Sequence, residues 1–171
     1  MKRTVWHRMD TLSRQLTPFM LTLLMVLLSL IPYHVPGLAR VMPVFSLIAV
    51  YHWGVYRSEL MPVYAVFLIG FLQDALSGVP MGVYTVVFVM AYSVVLAQNR
   101  FFSGKSFYVV WLGFALVSAG ASFITWILVS TFNGATVEPL AVVYQYLLGL
   151  GFYPVIAHLF LRWQRAMLQQ V

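Results

Sequence analysis

The sequence predicts an all-α integral membrane protein with about six transmembrane helices and both ends of the chain in the cytoplasm. Composition is the first reason. Of 171 residues, 62% are hydrophobic and only 8% are charged, whereas a soluble domain carries roughly 25% charged residues. So few charges leave apolar side chains facing something other than water, and lipid is the solvent that accepts them. The second reason is that the apolar residues come in continuous runs near the roughly 20 residues that cross a bilayer as a helix. The third is that the basic residues lie almost only at the ends of those runs.

A basic segment, residues 1–16, opens the chain, with Lys2, Arg3, Arg8 and Arg14 against Asp10. It reads either as a tail that sets orientation or as a short helix lying on an anionic membrane surface with Trp6 as its anchor. One transmembrane domain, residues 17–161, follows. Its first span runs from Thr17 to Tyr33 and stops at Pro32 and Pro36. The second runs from Pro43 to Tyr56 and reaches full length only if it begins near Ala39. The third covers Leu60 to Leu76, the fourth Met81 to Ala97, the fifth Phe107 to Thr131 and the sixth Pro139 to Leu161. A basic tail, residues 162–171, closes the chain. Continuous runs such as Val83 to Leu96 do not alternate polar with apolar as barrel strands do. Within lipid, helices are the form that satisfies its own backbone.

Charge sets the orientation. With the N-terminus inside, Lys2, Arg3, Arg8, Arg14, Arg57, Arg100, Lys105, Arg162 and Arg165 fall on the cytoplasmic side, and Arg40 alone falls outside. That asymmetry is the positive-inside pattern and calls for an even number of spans. It also accounts for the net charge of +6 without nucleic acid, which would need a basic face on a folded polar surface. Gly37-Leu38-Ala39 loosely resembles a cleavage site, but the long basic region before it and the flanking Pro36 and Arg40 favour an uncleaved helix. With no cysteine in the chain, disulfides and thiolate chemistry are excluded.

Polar residues in a membrane are costly and need a reason. Gly70, Gln73, Asp74 and Ser77 fall at i, i+3, i+4 and i+7 and so share one helix face. Ser77-Gly78-Val79-Pro80-Met81-Gly82 follows at once as a tight turn into the next span. Asp74 has two readings. It contacts a ligand or partner, with Arg40 as the candidate ion-pair partner, or it accepts hydrogen bonds from the turn and caps the fourth span. A second stripe, Ala115, Ser118 and Ser122 with Ala119 and Thr125, lets helices approach closely, either within the chain or across a homodimer seam. Gly149, Gly151 and Pro154 suggest close packing or a kink in the last span.

Nothing in the sequence carries catalysis. The histidines are scattered, and no HExxH, GxSxG or GxxxxGK[ST] is present. Four acidic residues, three near span ends and Asp10 in the tail, do not offer an acid–base pair within reach. Neither a metal nor a cofactor is called for.

The stretch Gly70-Phe71-Leu72-Gln73-Asp74-Ala75-Leu76-Ser77-Gly78-Val79-Pro80-Met81-Gly82 resembles the signature of the rod shape-determining MreD family. That family shows a Gly, two apolar residues, an Asp, and a Gly-x-Pro-x-Gly turn opening the next helix. Gly70, Asp74, Gly78, Pro80 and Gly82 fill those places. Gln73 departs from the apolar residue usual before the Asp. The resemblance implies a non-enzymatic component of the bacterial cell-wall elongation machinery in the inner membrane. Its implied partners are MreC, the peptidoglycan glycosyltransferase and transpeptidase pair, and MreB. It also implies a helical arrangement like that of the substrate-binding S components of energy-coupling-factor transporters. Three functions are therefore weighed: a membrane scaffold that docks partner helices, an S-component-like receptor for a small molecule and, last, an intramembrane enzyme, which four acidic residues serve poorly.

Overall fold

A computed structural model describes residues 17–30, 44–102 and 104–168. The basic N-terminal segment, the stretch around Gly37 to Ala39, and Arg40 lie outside the described residues. Seven α-helices and no strand occur among the described residues. They are α1 (Thr17–Ser29), α2 (Phe45–Tyr56), α3 (Val63–Ser77), α4 (Val83–Ala97), the single turn α5 (Asn99–Phe102), α6 (Phe107–Asn133) and α7 (Pro139–Leu168). A 3-10 turn at Ser58–Leu60 links α2 to α3.

The helix ends follow local chemistry. The third segment begins at Val63 rather than Leu60, because Met61 precedes Pro62 and is driven towards extended backbone (φ −130°, ψ 80°) by the proline ring. Gly78 ends α3 with φ 68° and Gly134 ends α6 with φ 62°, left-handed conformations that cost a glycine little. Pro139 opens α7, where a missing N–H costs nothing. The last helix then runs past Leu161 through Arg162 and Arg165 to Leu168, so the basic residues assigned to a tail continue the helix.

Two helices are long and apolar enough to cross a membrane, Phe107–Asn133 and the Pro139–Trp163 part of α7. In each, only 17% of the most apolar stretch is buried within the chain. Most of their apolar surface therefore faces outward, which suits lipid and not water. Helices α1, α3 and α4 are apolar but shorter.

The core centres on α2. Every residue from Ser46 to Val55 is buried, with α4, α6 and α7 packed around it. Tyr51 of α2 lies edge-on to Phe114 of α6 and Tyr153 of α7, and those two rings stack at 4.3 Å between centroids. The Tyr51 hydroxyl donates to the Val110 carbonyl at 2.9 Å, and the Tyr92 hydroxyl of α4 donates to the Met61 carbonyl. These bonds satisfy polar atoms that burial would otherwise make expensive. The tightest pair is α3 with α4.

Candidate functional site: the α3–α4 turn and its cavity

The turn between α3 and α4 is organised by one carboxylate. Helix α4 starts at Val83 with Gly82 in the N-cap position, and Gly82 has no side chain to receive the first free N–H groups. Asp74, one helix back, supplies the missing acceptor. Its Oδ1 accepts from the Tyr84 N–H at 2.7 Å, and its Oδ2 accepts from the Gly82 N–H at 3.0 Å and the Thr85 N–H at 3.1 Å. The Thr85 hydroxyl donates to the same Oδ2 at 2.7 Å. Asp74 is 1% exposed, so both carboxylate oxygens are held away from solvent against the positive end of α4. Hydrogen bonds to a charged acceptor are the stronger kind.

Glycines make this geometry possible. A Cβ added at Gly70 would lie 2.6 Å from the Thr85 Cα, so α3 and α4 touch backbone to backbone one turn before Asp74. That approach brings the carboxylate within reach of the α4 start. Gly82 holds φ 101°, which a side chain would disfavour. Pro80 receives the Val83 N–H on its carbonyl at 3.4 Å.

Gln73 and Ser77 form a second link. Ser46 of α2 donates to Gln73 Oε1 at 3.1 Å, and Gln73 Nε2 donates to Ser77 Oγ at 2.7 Å. The polar face spaced along α3 thus turns inward, with Asp74 reaching α4 and Gln73 reaching α2. Asp74, Gly82, Gly70, Gln73 and Ser77 come together, while the Arg40 pairing falls outside the described residues. Ser46 and Thr85, which complete these links, are polar residues in apolar helices, and that was their signal in the sequence.

The small-residue stripe of α6 turns partly inward, with Ser118 buried, Ala115 and Ser122 half-buried and Ala119 exposed. Ser118 is buried and donates to the Phe114 carbonyl of its own helix at 2.6 Å. The Ala115 carbonyl accepts from the Tyr146 hydroxyl of α7 at 3.2 Å. Ser122 lines a cavity of about 250 Å³ at the end of the bundle that holds the α3–α4 turn. Val79 and Tyr84 come from the turn and α4, Thr125 and Trp126 from α6, and Gln145 from α7. Tyr84 and Gln145 share a side-chain hydrogen bond. The α6–α7 connection is closed beside the cavity by the Trp126 indole N–H on the Val137 carbonyl at 2.9 Å and the Val137 N–H on Ser130 Oγ at 3.2 Å. Gln145 and Trp126 carried no motif in the sequence, because only the packing of α6 against α7 brings them to Tyr84.

Asp74 is engaged by four donors and is not among the residues that face the cavity. The cavity presents hydroxyl, amide and indole groups on an apolar wall. Neither a curated protein nor a solved structure matches the chain. A family model described as rod shape-determining protein MreD matches residues 9–164 of the 171, including the whole turn from Gly70 to Gly82, and the chain belongs to that family.

Proposed function

We propose that this chain is a non-catalytic scaffold in the bacterial inner membrane that holds together the cell-wall elongation machinery of rod-shaped growth. Family membership supports the role in shape determination. In this reading six helices cross the membrane in an S-component-like bundle, with both termini cytoplasmic. The nine-to-one bias of basic residues then puts the α3–α4 turn at the outer end. The partners are a periplasm-facing MreC-like protein and the peptidoglycan glycosyltransferase and transpeptidase pair. MreB meets the basic cytoplasmic ends, and a second copy of the chain is a further candidate for the exposed side of α6.

The observation that carries the reading is the cavity beside a rigid turn. Asp74 fixes the start of α4, and Tyr84, held by that start, forms one wall of the opening. Its 250 Å³ falls below the roughly 300–1,000 Å³ of pockets that enclose a small molecule. A few side chains of a partner segment fill such a space. Convergent Tyr84, Thr125 and Gln145 are the feature that favours the second reading, a small-molecule receptor.

Co-purification from membranes in mild detergent, read by mass spectrometry, tests this. Wild type recovers elongation proteins, and Ser122→Phe, which fills the cavity, loses them while remaining folded. A bound metabolite with no wall-synthesis protein contradicts the scaffold and supports the receptor.

A further inference from the structure

A second opening lies on the outward side of the bundle, sharing Val87 and Ala121 with the first cavity and running along α4 away from the Asp74 turn. It is a groove of about 220 Å³ between α4 and α6 that extends from Val87 to Gln98 on one wall and from Gly113 to Ile124 on the other. Along a helix each of those stretches is about 16 Å long, at 1.5 Å per residue. One leaflet of a bilayer has a hydrocarbon depth of about 15 Å, half of the roughly 30 Å core. The groove therefore matches a single leaflet.

Its chemistry is graded along that length. Gln98, at one end, is the only polar side chain on the lining. Everything beyond it is aliphatic or aromatic, with Ala91, Gly120 and Ala121 leaving the floor low. Among the described residues, basic side chains stand at the Gln98 end. Arg100 lies two residues beyond Gln98 in α5, and Lys105 three residues beyond Phe102, the ring that closes the groove there. Both are exposed. Lys105 Nζ lies 5.6 Å from the centroid of the neighbouring Phe101 ring, and its backbone N–H is tied to the Phe102 carbonyl at 3.1 Å. Arg57 and Glu59 occupy the same end of the bundle, on the α2–α3 connection, where Asn99 reaches Ser58 at 3.2 Å. The local balance of these four groups is positive.

The floor is shaped by packing rather than by chance. A Cβ at Gly113 would meet the Phe102 ring at 2.5 Å and the Tyr51 hydroxyl at 2.7 Å, so that glycine is required by the core. A Cβ at Gly120 would meet nothing within 4 Å, so that glycine is required by no neighbour among the described residues. Its missing side chain leaves the groove open.

We propose that the α4–α6 groove is a binding site for one anionic membrane phospholipid. One acyl chain lies along Val94, Val117 and Gly120, and the phosphate is held by Arg100 and Lys105 at the Gln98 end. An apolar slot one leaflet deep with two cations at its mouth is the complement of that ligand. A zwitterionic lipid fits the slot but adds an ammonium beside the two cations. A floor of small residues also admits a second helix, and the test below separates that occupant from a lipid.

The test is native mass spectrometry of the detergent-purified, delipidated full-length protein with added phosphatidylglycerol or phosphatidylethanolamine. Wild type is expected to retain one phosphatidylglycerol per chain, in about tenfold preference to phosphatidylethanolamine. Gly120→Leu, whose Cβ has open space and whose branched end fills the groove, and the double variant Arg100→Gln, Lys105→Gln are each expected to lose that species. Gly120→Val serves if the leucine variant does not fold, as judged by circular dichroism and gel filtration. Retention by the folded groove-filled variant or by the double charge variant, or equal retention of the two lipids, overturns the proposal. So does a dimer of the wild type that Gly120→Leu dissociates, which would make the groove a seam between copies.

Discussion

Thr85 donates twice to one oxygen of Asp74, from its backbone N–H at 3.1 Å and from its hydroxyl at 2.7 Å. A helix start is thereby completed by the preceding helix instead of by its own cap residue. Asp74→Ala removes the acceptor for four donors and leaves buried N–H groups unsatisfied. That costs on the order of 4 kcal/mol at about 1–3 per orphaned group, which corresponds to a fall of roughly 10 °C in the unfolding midpoint. Asp74→Asn keeps one oxygen and turns an amide N–H₂ towards donors, so it is expected to lose about half as much. A thermal scan in mild detergent measures both, and an unchanged midpoint for Asp74→Ala would contradict the cap.

Gly70 and Gly120 give a matched pair of glycine tests. Gly70→Ala drives a Cβ into the Thr85 backbone at 2.6 Å, and overpacking of this kind costs about 1–3 kcal/mol. Gly120→Ala meets nothing within 4 Å and gains about 0.5–1 kcal/mol of helix preference. Opposite shifts in the same thermal scan are the expected result.

Gln73→Leu tests the link to α2. The substitution is near in size and removes the bonds to Ser46 and Ser77. Interhelical hydrogen bonds in membrane proteins average about 0.6 kcal/mol, so a midpoint lower by only a few degrees is expected, with partner recovery unchanged. Loss of partners in a folded Gln73→Leu protein would show that the polar face does more than bind helices together.

Much of this was legible in the sequence. The apolar runs located α1 to α4, α6 and α7, because outward-facing helices must be apolar throughout. The i, i+3, i+4, i+7 spacing put Gly70, Gln73, Asp74 and Ser77 on one face, and the Gly-Pro-Gly turn marked the start of α4. Two things were not legible. The segment at Pro43 to Tyr56 looks too short for a span, yet α2 is the centre of the core, where surrounding helices replace lipid and Ser46 and His52 are buried. The cavity depends on how α6 leans against α7, so Trp126 and Gln145 meet Tyr84 only in three dimensions.

The central claim is that the cavity beside the Asp74 turn receives a partner protein. A photo-crosslinking amino acid at Val137, on the cavity wall, tests it in living cells against the same residue at Leu68, which is 53% exposed on α3. A crosslink to an elongation protein is expected from position 137, lost on adding Ser122→Phe. Protein crosslinks from position 68 alone, or crosslinks at 137 that survive Ser122→Phe, would contradict it.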